Sequence, residues 1–240
     1  MSKKSFLALF FVLGFTFYSN AQIGLRIGLN GGPTFSRAGT SIDSVPEGFK
    51  IKTKIGYTLG LQIHYGISDV VGIETGIQYV SKGYSMENDS NRVEDMLKST
   101  IEDFEIPLNF TLRQQISSYS FVRERVGVSL GIHTQKDELV NVSAADNASF
   151  GVTESYTKKF YPMFNLGIEY GYLTDNGNTM SVGIHYSQGL GSNVGLNFHN
   201  NNTFDANTFD LNYRASNLSL RFAYLFSLSN IGSSDEYFFE

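Results

Sequence analysis

Few side chains in this 240-residue chain are suited to acid–base or nucleophilic chemistry: there are four histidines, His64, His133, His185 and His199, and no cysteine. A histidine set beside a serine and a carboxylate would be the arrangement of a hydrolytic or acyl-transferring enzyme. The imidazole takes the nucleophile's proton and the carboxylate orients the ring. His64, His133 and His185 share the phase of their polar neighbours, and His199 opens a polar run, His199-Asn200-Asn201-Asn202. No pair has zinc spacing. Neither that run nor Glu87-Asn88-Asp89 has the regular carboxylates of a calcium loop. No catalytic, metal-ligating or cofactor-binding residue is therefore assigned, and neither a cofactor nor an enzymatic activity is expected.

The elements that would position these histidines are strands. From Ile55 to Tyr65 every odd position is apolar or aromatic and every even one is small or polar, the two-residue period of a sheet whose faces meet different solvents. The same alternation predicts strands over about 22–34, 53–66, 70–84, 102–114, 120–133, 159–172, 179–188 and 212–227. Connections alternate in length, long after the first, third, fifth and seventh strands and short after the others. Short turns such as Ile67-Ser68-Asp69 suit the periplasmic side and long polar loops the exterior. The fold class expected is all-β, an eight-stranded antiparallel up-and-down transmembrane β-barrel, with both termini periplasmic.

Charges set the inner phase, because an Arg or Lys on the lipid face at mid-membrane costs about 2–4 kcal/mol. Arg26, Lys54, Glu74, Lys82, Glu105, Arg113, Arg125, Glu169 and Arg221 all fall out of step with the apolar set of their strands. An eight-stranded bore is narrow enough for side chains to fill. An interior polar plug is therefore expected from Arg26, Lys54, His64, Glu74, Gln78, Lys82, Glu105, Asn109, Arg125, Glu169 and Arg221. Inward glycines, Gly131 and Gly167 among them, leave room for those chains. Tyr57, Tyr65, Tyr79, Tyr170, Tyr186, Tyr224 and Phe226 are expected to form the aromatic girdles; the chain has no tryptophan to share that task.

The first residues carry Lys3 and Lys4, an apolar Phe-rich run from Phe6 to Tyr18, and then Ser19-Asn20-Ala21. These are the three regions of a secretory signal peptide, with cleavage expected between Ala21 and Gln22. Removing residues 1–21 takes away two lysines and no acids, so the formal net charge of −5 becomes −7. That balance does not favour nucleic acid. The organisation expected is a signal peptide over 1–21, a barrel over 22–227 and an acidic periplasmic tail over 228–240. Within the second long loop, Asn91 to Lys98 reads as a short helical turn with Glu94 facing Lys98. The third, about 134–157, reads as strands that extend beyond the membrane, with a partner-binding rim as the other reading.

Several pieces carry a family likeness: Gly28, Gly31 and Gly32 in the first strand, Tyr57-Thr58-Leu59-Gly60-Leu61 in the second, Ile73 to Tyr79 with Lys82-Gly83 in the third, and Phe104-Glu105-Ile106-Pro107-Leu108 in the fourth. With the leader ending Ala21-Gln22, the chain resembles the PorT-like outer-membrane β-barrel family of Bacteroidota. The resemblance implies a secreted eight-stranded barrel in the cell outer membrane and carries no particular role across.

The reading is a non-enzymatic barrel with a structural or binding role through its exterior loops. It is expected to be a monomer in contact with outer-membrane lipid and to meet a protein or surface ligand at those loops. A narrow small-solute channel and a lipid-acting enzyme at the outer rim are the rival functions. A soluble lipocalin-like barrel, with its aromatics inside and its charges outside, is the rival architecture. Tyrosines near strand ends and the alternation of loop lengths favour the membrane form.

Overall fold

The computed structural model describes residues 24–36, 49–88, 93–134, 138–143, 149–156, 159–191, 194–200, 209–213 and 216–228. The leader, the Ala21/Gln22 junction and nearly all of the acidic tail lie outside the described residues. In chain order the strands are β1 (Gly24–Ser36), β2 (Phe49–Gly66), β3 (Val71–Asn88), β4 (Val93–Gln115), β5 (Ser120–His133), β6 (Glu138–Ser143), β7 (Ser149–Tyr156), β8 (Phe160–Leu173), β9 (Thr179–Gly189), β10 (Val194–Asn200), β11 (Phe209–Tyr213) and β12 (Ser216–Ser227).

Eight of them close into an antiparallel barrel in the order β1-β12-β9-β8-β5-β4-β3-β2, and the other four form a separate sheet, β11-β10-β7-β6. Closure is made by β1, which pairs with β12 from Arg26↔Ser227 to Ser36↔Asn217 and with β2 from Gly24↔Gly66 to Ser36↔Lys54. Both ends of the barrel chain therefore lie at the short-turn end.

Those turns are held by local chemistry. The Ser68 hydroxyl accepts from the amides of Val70 and Val71 at 3.3 and 3.0 Å, and the Ser117 hydroxyl accepts from Tyr119 and Ser120 at 3.3 and 3.1 Å. The third turn, between β8 and β9, needs Gly177 at φ 75°, where a Cβ would be strained.

The wall has an apolar outside. Leu59 and Leu61 on β2 are 60% and 55% exposed, and the outward set of every other barrel strand behaves alike, with Leu108, Val128, Ile168, Ile184 and Phe222 open. The alternate positions are buried. A lipocalin-like arrangement is thereby overturned, since it would bury the outward aromatics and expose the charges. Tyr65, Tyr170, Tyr224 and Phe226 lie on the outside near the short-turn end, and Tyr57, Tyr79 and Tyr186 towards the other end. The eight residue steps from Tyr57 to Tyr65 span about 27 Å of strand. At a tilt near 40° that is about 20 Å of height, close to the apolar band of an outer-membrane barrel.

Two expectations are corrected. Residues 93–98 of the segment 91–98 are no helical turn, because β4 begins at Val93 and pairs with β3 through Asn88↔Val93, Met86↔Leu97 and Ser85↔Lys98, while Asn91 and Arg92 lie outside the described residues. A ladder with β3, even with its register shift between Met86 and Asn88, outweighs one Glu–Lys pair worth about 0.2–0.5 kcal/mol on a helix. The third long loop holds strands as expected, β6 and β7, but the fourth, read as a polar run, carries strands too, β10 and β11.

An arginine at Leu61, midway between Tyr57 and Tyr65, is expected to cost about 2–4 kcal/mol of folding stability in phospholipid vesicles, and the same change at the turn residue Ile67 about 0–1 kcal/mol. Urea titration of the two variants measures the difference; equal costs would mean that the outer wall does not face lipid.

Candidate functional site

The inward face of the wall is a stack of charged side chains, and each level is supplied by several strands. At the short-turn end the buried Phe121 ring of β5 has the Arg113 guanidinium 4.3 Å and that of Arg123 5.5 Å from its centre. Directly across the ladder is Gly171, where a Cβ would stand 2.1 Å from that ring. Beside them Arg26 donates to the Gly177 carbonyl at 3.4 Å, and the His64 ring nitrogen Nε2 lies 3.2 Å from the Thr111 hydroxyl.

The middle level is organised by Arg125. Its guanidinium donates to Glu74 at 2.5 Å and also to Glu169, so one planar fork joins carboxylates of β3 and β8. Glu74, with no exposed surface, accepts in addition from Gln62 at 2.7 Å and Asn109 at 3.2 Å. Glu169 is held by Arg123 as well, and the His185 ring nitrogen Nε2 lies 3.8 Å from it. Asn30 extends the network to β1 by donating to Gln62 at 3.2 Å.

Towards the long-loop end the centre is Lys82, also fully buried. Its ammonium has three protons and meets Glu105 at 3.0 Å, Asp103 at 2.8 Å and the Tyr161 hydroxyl at 2.7 Å. Tyr161 passes its own proton towards Asp103 at 2.5 Å, and His133 Nδ1 lies 2.5 Å from the other oxygen of that carboxylate. The His133 and Tyr161 rings stack at 4.6 Å. Gly131 makes this possible, since a Cβ there would fall 2.3 Å from the Tyr161 ring.

Of the residues the sequence pointed to, Arg26, His64, Glu74, Gln78, Lys82, Glu105, Asn109, Arg125, Glu169 and Arg221 are all buried on the inner face. Lys54 stands apart, only half-buried towards the long-loop end, where it donates to the Thr100 hydroxyl. Phe121, Arg123, Asp103, His133 and Tyr161 complete the levels although they were not in the expected plug. Arg123 has the phase of Arg125, and Asp103 that of Glu105, so both were visible in the alternation. Tyr161 has the phase of Glu169; what alternation does not show is the register that puts Gly131 opposite it.

Among the described side chains the histidines do not converge: His64 belongs to the short-turn level, His185 to the middle one and His133 to the long-loop one, while the side chain of His199, on β10, lies outside the described residues. The run Gly127-Val128-Ser129-Leu130-Gly131 has the spacing of a nucleophile elbow, yet it lies inside the extended strand β5 rather than at a strand-to-helix turn. Ser129 is buried there and accepts from the Asn165 amide. Among the described residues no group of acids and histidines is arranged to hold a metal.

A model of the outer membrane protein beta-barrel domain matches residues 17–195. The chain belongs to that family. No curated protein sequence matches it. Among solved structures it is similar to the outer membrane protein OprG of Pseudomonas aeruginosa, at 13% identity over 85% of this chain and 96% of that one, with a TM-score of 0.52. It is also similar to the outer membrane protease OmpT of Escherichia coli, at 10% identity over 88% and 99% of the two chains, with a TM-score of 0.38. Ail, the attachment invasion locus protein of Yersinia pestis, is 10% identical over 83% and 99%, with a TM-score of 0.34. The likeness to OprG is one of fold, and the other two add nothing to it. Family and fold together place the chain in the cell outer membrane, where the apolar wall meets lipid.

Replacing Glu169 with Gln leaves Arg123 and Arg125 buried against a neutral group, and breaking a buried ion pair from one side costs about 3–5 kcal/mol. Urea unfolding in vesicles is expected to show that loss for Glu169→Gln, and to show part of it restored when Arg123→Met is added.

Proposed function

We propose that this barrel is non-enzymatic and non-conducting, and that it acts from the outer membrane through its exterior strands and loops. The observation that carries this reading is the cross-linked bore. Lys82 of β3 is bonded to Tyr161 of β8 across the interior, Arg125 joins Glu74 to Glu169, and the groups at both levels are buried. A cavity between Gln78, Glu105, Arg125, His185 and Arg221 measures about 10 Å³, room for about one water molecule. Charges held this way act as structure, because each is spent on a neighbour rather than offered to a passing solute.

The orientation belongs to the same proposal. Short turns and both barrel termini lie at one end, which suits the periplasm, and the longer strands and second sheet then stand outside the cell. The lysine-led apolar leader ending at Ala21 supports export by signal peptide. The pieces around Lys82-Gly83 and Glu105-Ile106-Pro107-Leu108 support a place among the PorT-like barrels of Bacteroidota. A single closed barrel, with no strand edge left open in the wall, supports a monomer in outer-membrane lipid, and a protein or surface ligand at the exterior loops is the partner proposed.

Purified protein in planar bilayers is expected to give no steady conductance. The double variant Lys82→Ala/Arg125→Ala, which removes the central cation of two levels, is expected to admit small ions. Steady unitary currents from the unaltered protein would establish the channel reading in place of this one.

A further inference from the structure

The second sheet repeats the order of the wall beneath it. Its strands β6, β7, β10 and β11 are neighbours in that sequence, and the barrel strands they adjoin in the chain, β5, β8, β9 and β12, are neighbours in the same sequence. The four wall strands stop at a common level: Ile132 pairs with Phe160, Met163 with Gly189 and Gln188 with Ser216. The sheet is thus a four-stranded continuation of one side of the barrel, separated from it by a break that crosses all four strands.

Register divides the residues of this sheet into two faces of opposite character, since directly paired residues share a face. Val140, Val152, Phe198 and Phe209 make one row. Leu196 with Leu211, Val194 with Tyr156 and Tyr213, and Val142 with Phe150 fall on the same face. All its positions are apolar or aromatic save Glu138, Glu154 and Asn200. The other face holds residues such as Asn141, Thr153, Asn197, His199, Asp210 and Asn212, and among its described positions Leu139 alone is a large apolar residue.

We propose that the apolar face of this outer sheet lies on the lipid of the outer leaflet. Continuity with the lipid-facing belt argues for it. In β6, β7 and β10 the apolar positions are even-numbered, the phase of the outward residues in β5, β8 and β9; β11 joins through its pairing with β10, its own apolar positions being odd. Where the two sheets meet, the belt is still apolar and open, with Phe160 at 54%, Leu190 at 60% and Leu218 at 45% exposure. Strands that cross the bilayer need only about 9–11 residues, so a wall continued past 14-residue β5 and β8 outruns the hydrocarbon. A wall folded away from the barrel axis along the shared break lays its outer face down on the leaflet, where Phe and Tyr favour the boundary with water.

The absence of tryptophan makes the test direct. Single-tryptophan variants of the full chain, Phe198→Trp and Val152→Trp on one face and Asn197→Trp and Thr153→Trp on the other, are refolded into phosphatidylcholine vesicles with and without brominated acyl chains. Heat-dependent gel migration confirms that each barrel has formed. The two apolar-face variants are expected to lose emission severalfold in brominated vesicles and to resist iodide, and the two polar-face variants to show the reverse. Apolar-face tryptophans that iodide quenches as readily as the polar-face ones would overturn the proposal. So would emission shielded from both quenchers, the signature of a face covered by protein, whether the barrel's own mouth or a second copy of the chain.

Discussion

In hydrocarbon a backbone amide or carbonyl without a partner costs several kcal/mol, so a sheet that spans a membrane has to close on itself. Here that requirement is met by β1, which pairs with β12 on one side and β2 on the other along nearly its whole length. The remaining interior follows from it. Eight strands enclose a bore about as wide as its own side chains. Anything charged inside must then find its counter-charge within reach, and Arg125 between Glu74 and Glu169 is the result at the middle level.

The same closure explains the division of labour among small and large residues. In a bore of fixed width a ring takes the room that a glycine on a neighbouring strand leaves, and the two largest rings so placed mark its two ends. Phe121 sits against Gly171 at the short-turn end, and Tyr161 against Gly131 at the other. Between them carboxylates and guanidinium groups fill the space, with Arg123 and Arg125 paired to Glu169 and Arg125 also to Glu74. The outer wall carries no such constraint, and apolar residues of any shape serve there, from Val128 to Phe222.

Much of the wall was legible in the sequence because a barrel strand is read by its two-residue period, and the period is strongest where one solvent is lipid. Ile55 to Tyr65 alternates without fault, and the charges that keep out of step with it name most of the inner face. What alternation cannot supply is the partner across a ladder. The Lys82–Asp103–Tyr161–His133 cluster draws on three strands besides β3, and its shape depends on which residue of β8 meets Gly131. Residues 93–98 show the complementary failure: a charged, Met-containing stretch has helical spacing in isolation, and only pairing with β3 makes it strand.

Lys82 and Tyr161 are separated by 79 residues and belong to strands three ladder steps apart, with β4 and β5 between them. No single hairpin contains the bond, nor do two neighbouring strands, and it becomes geometrically possible only when the sheet has already curled. Until that moment each of these groups has water as its alternative partner. The interior network is therefore a late event in assembly, which rewards the finished cylinder while giving little help to its parts. Its contribution falls on the rate at which the barrel opens rather than the rate at which it forms.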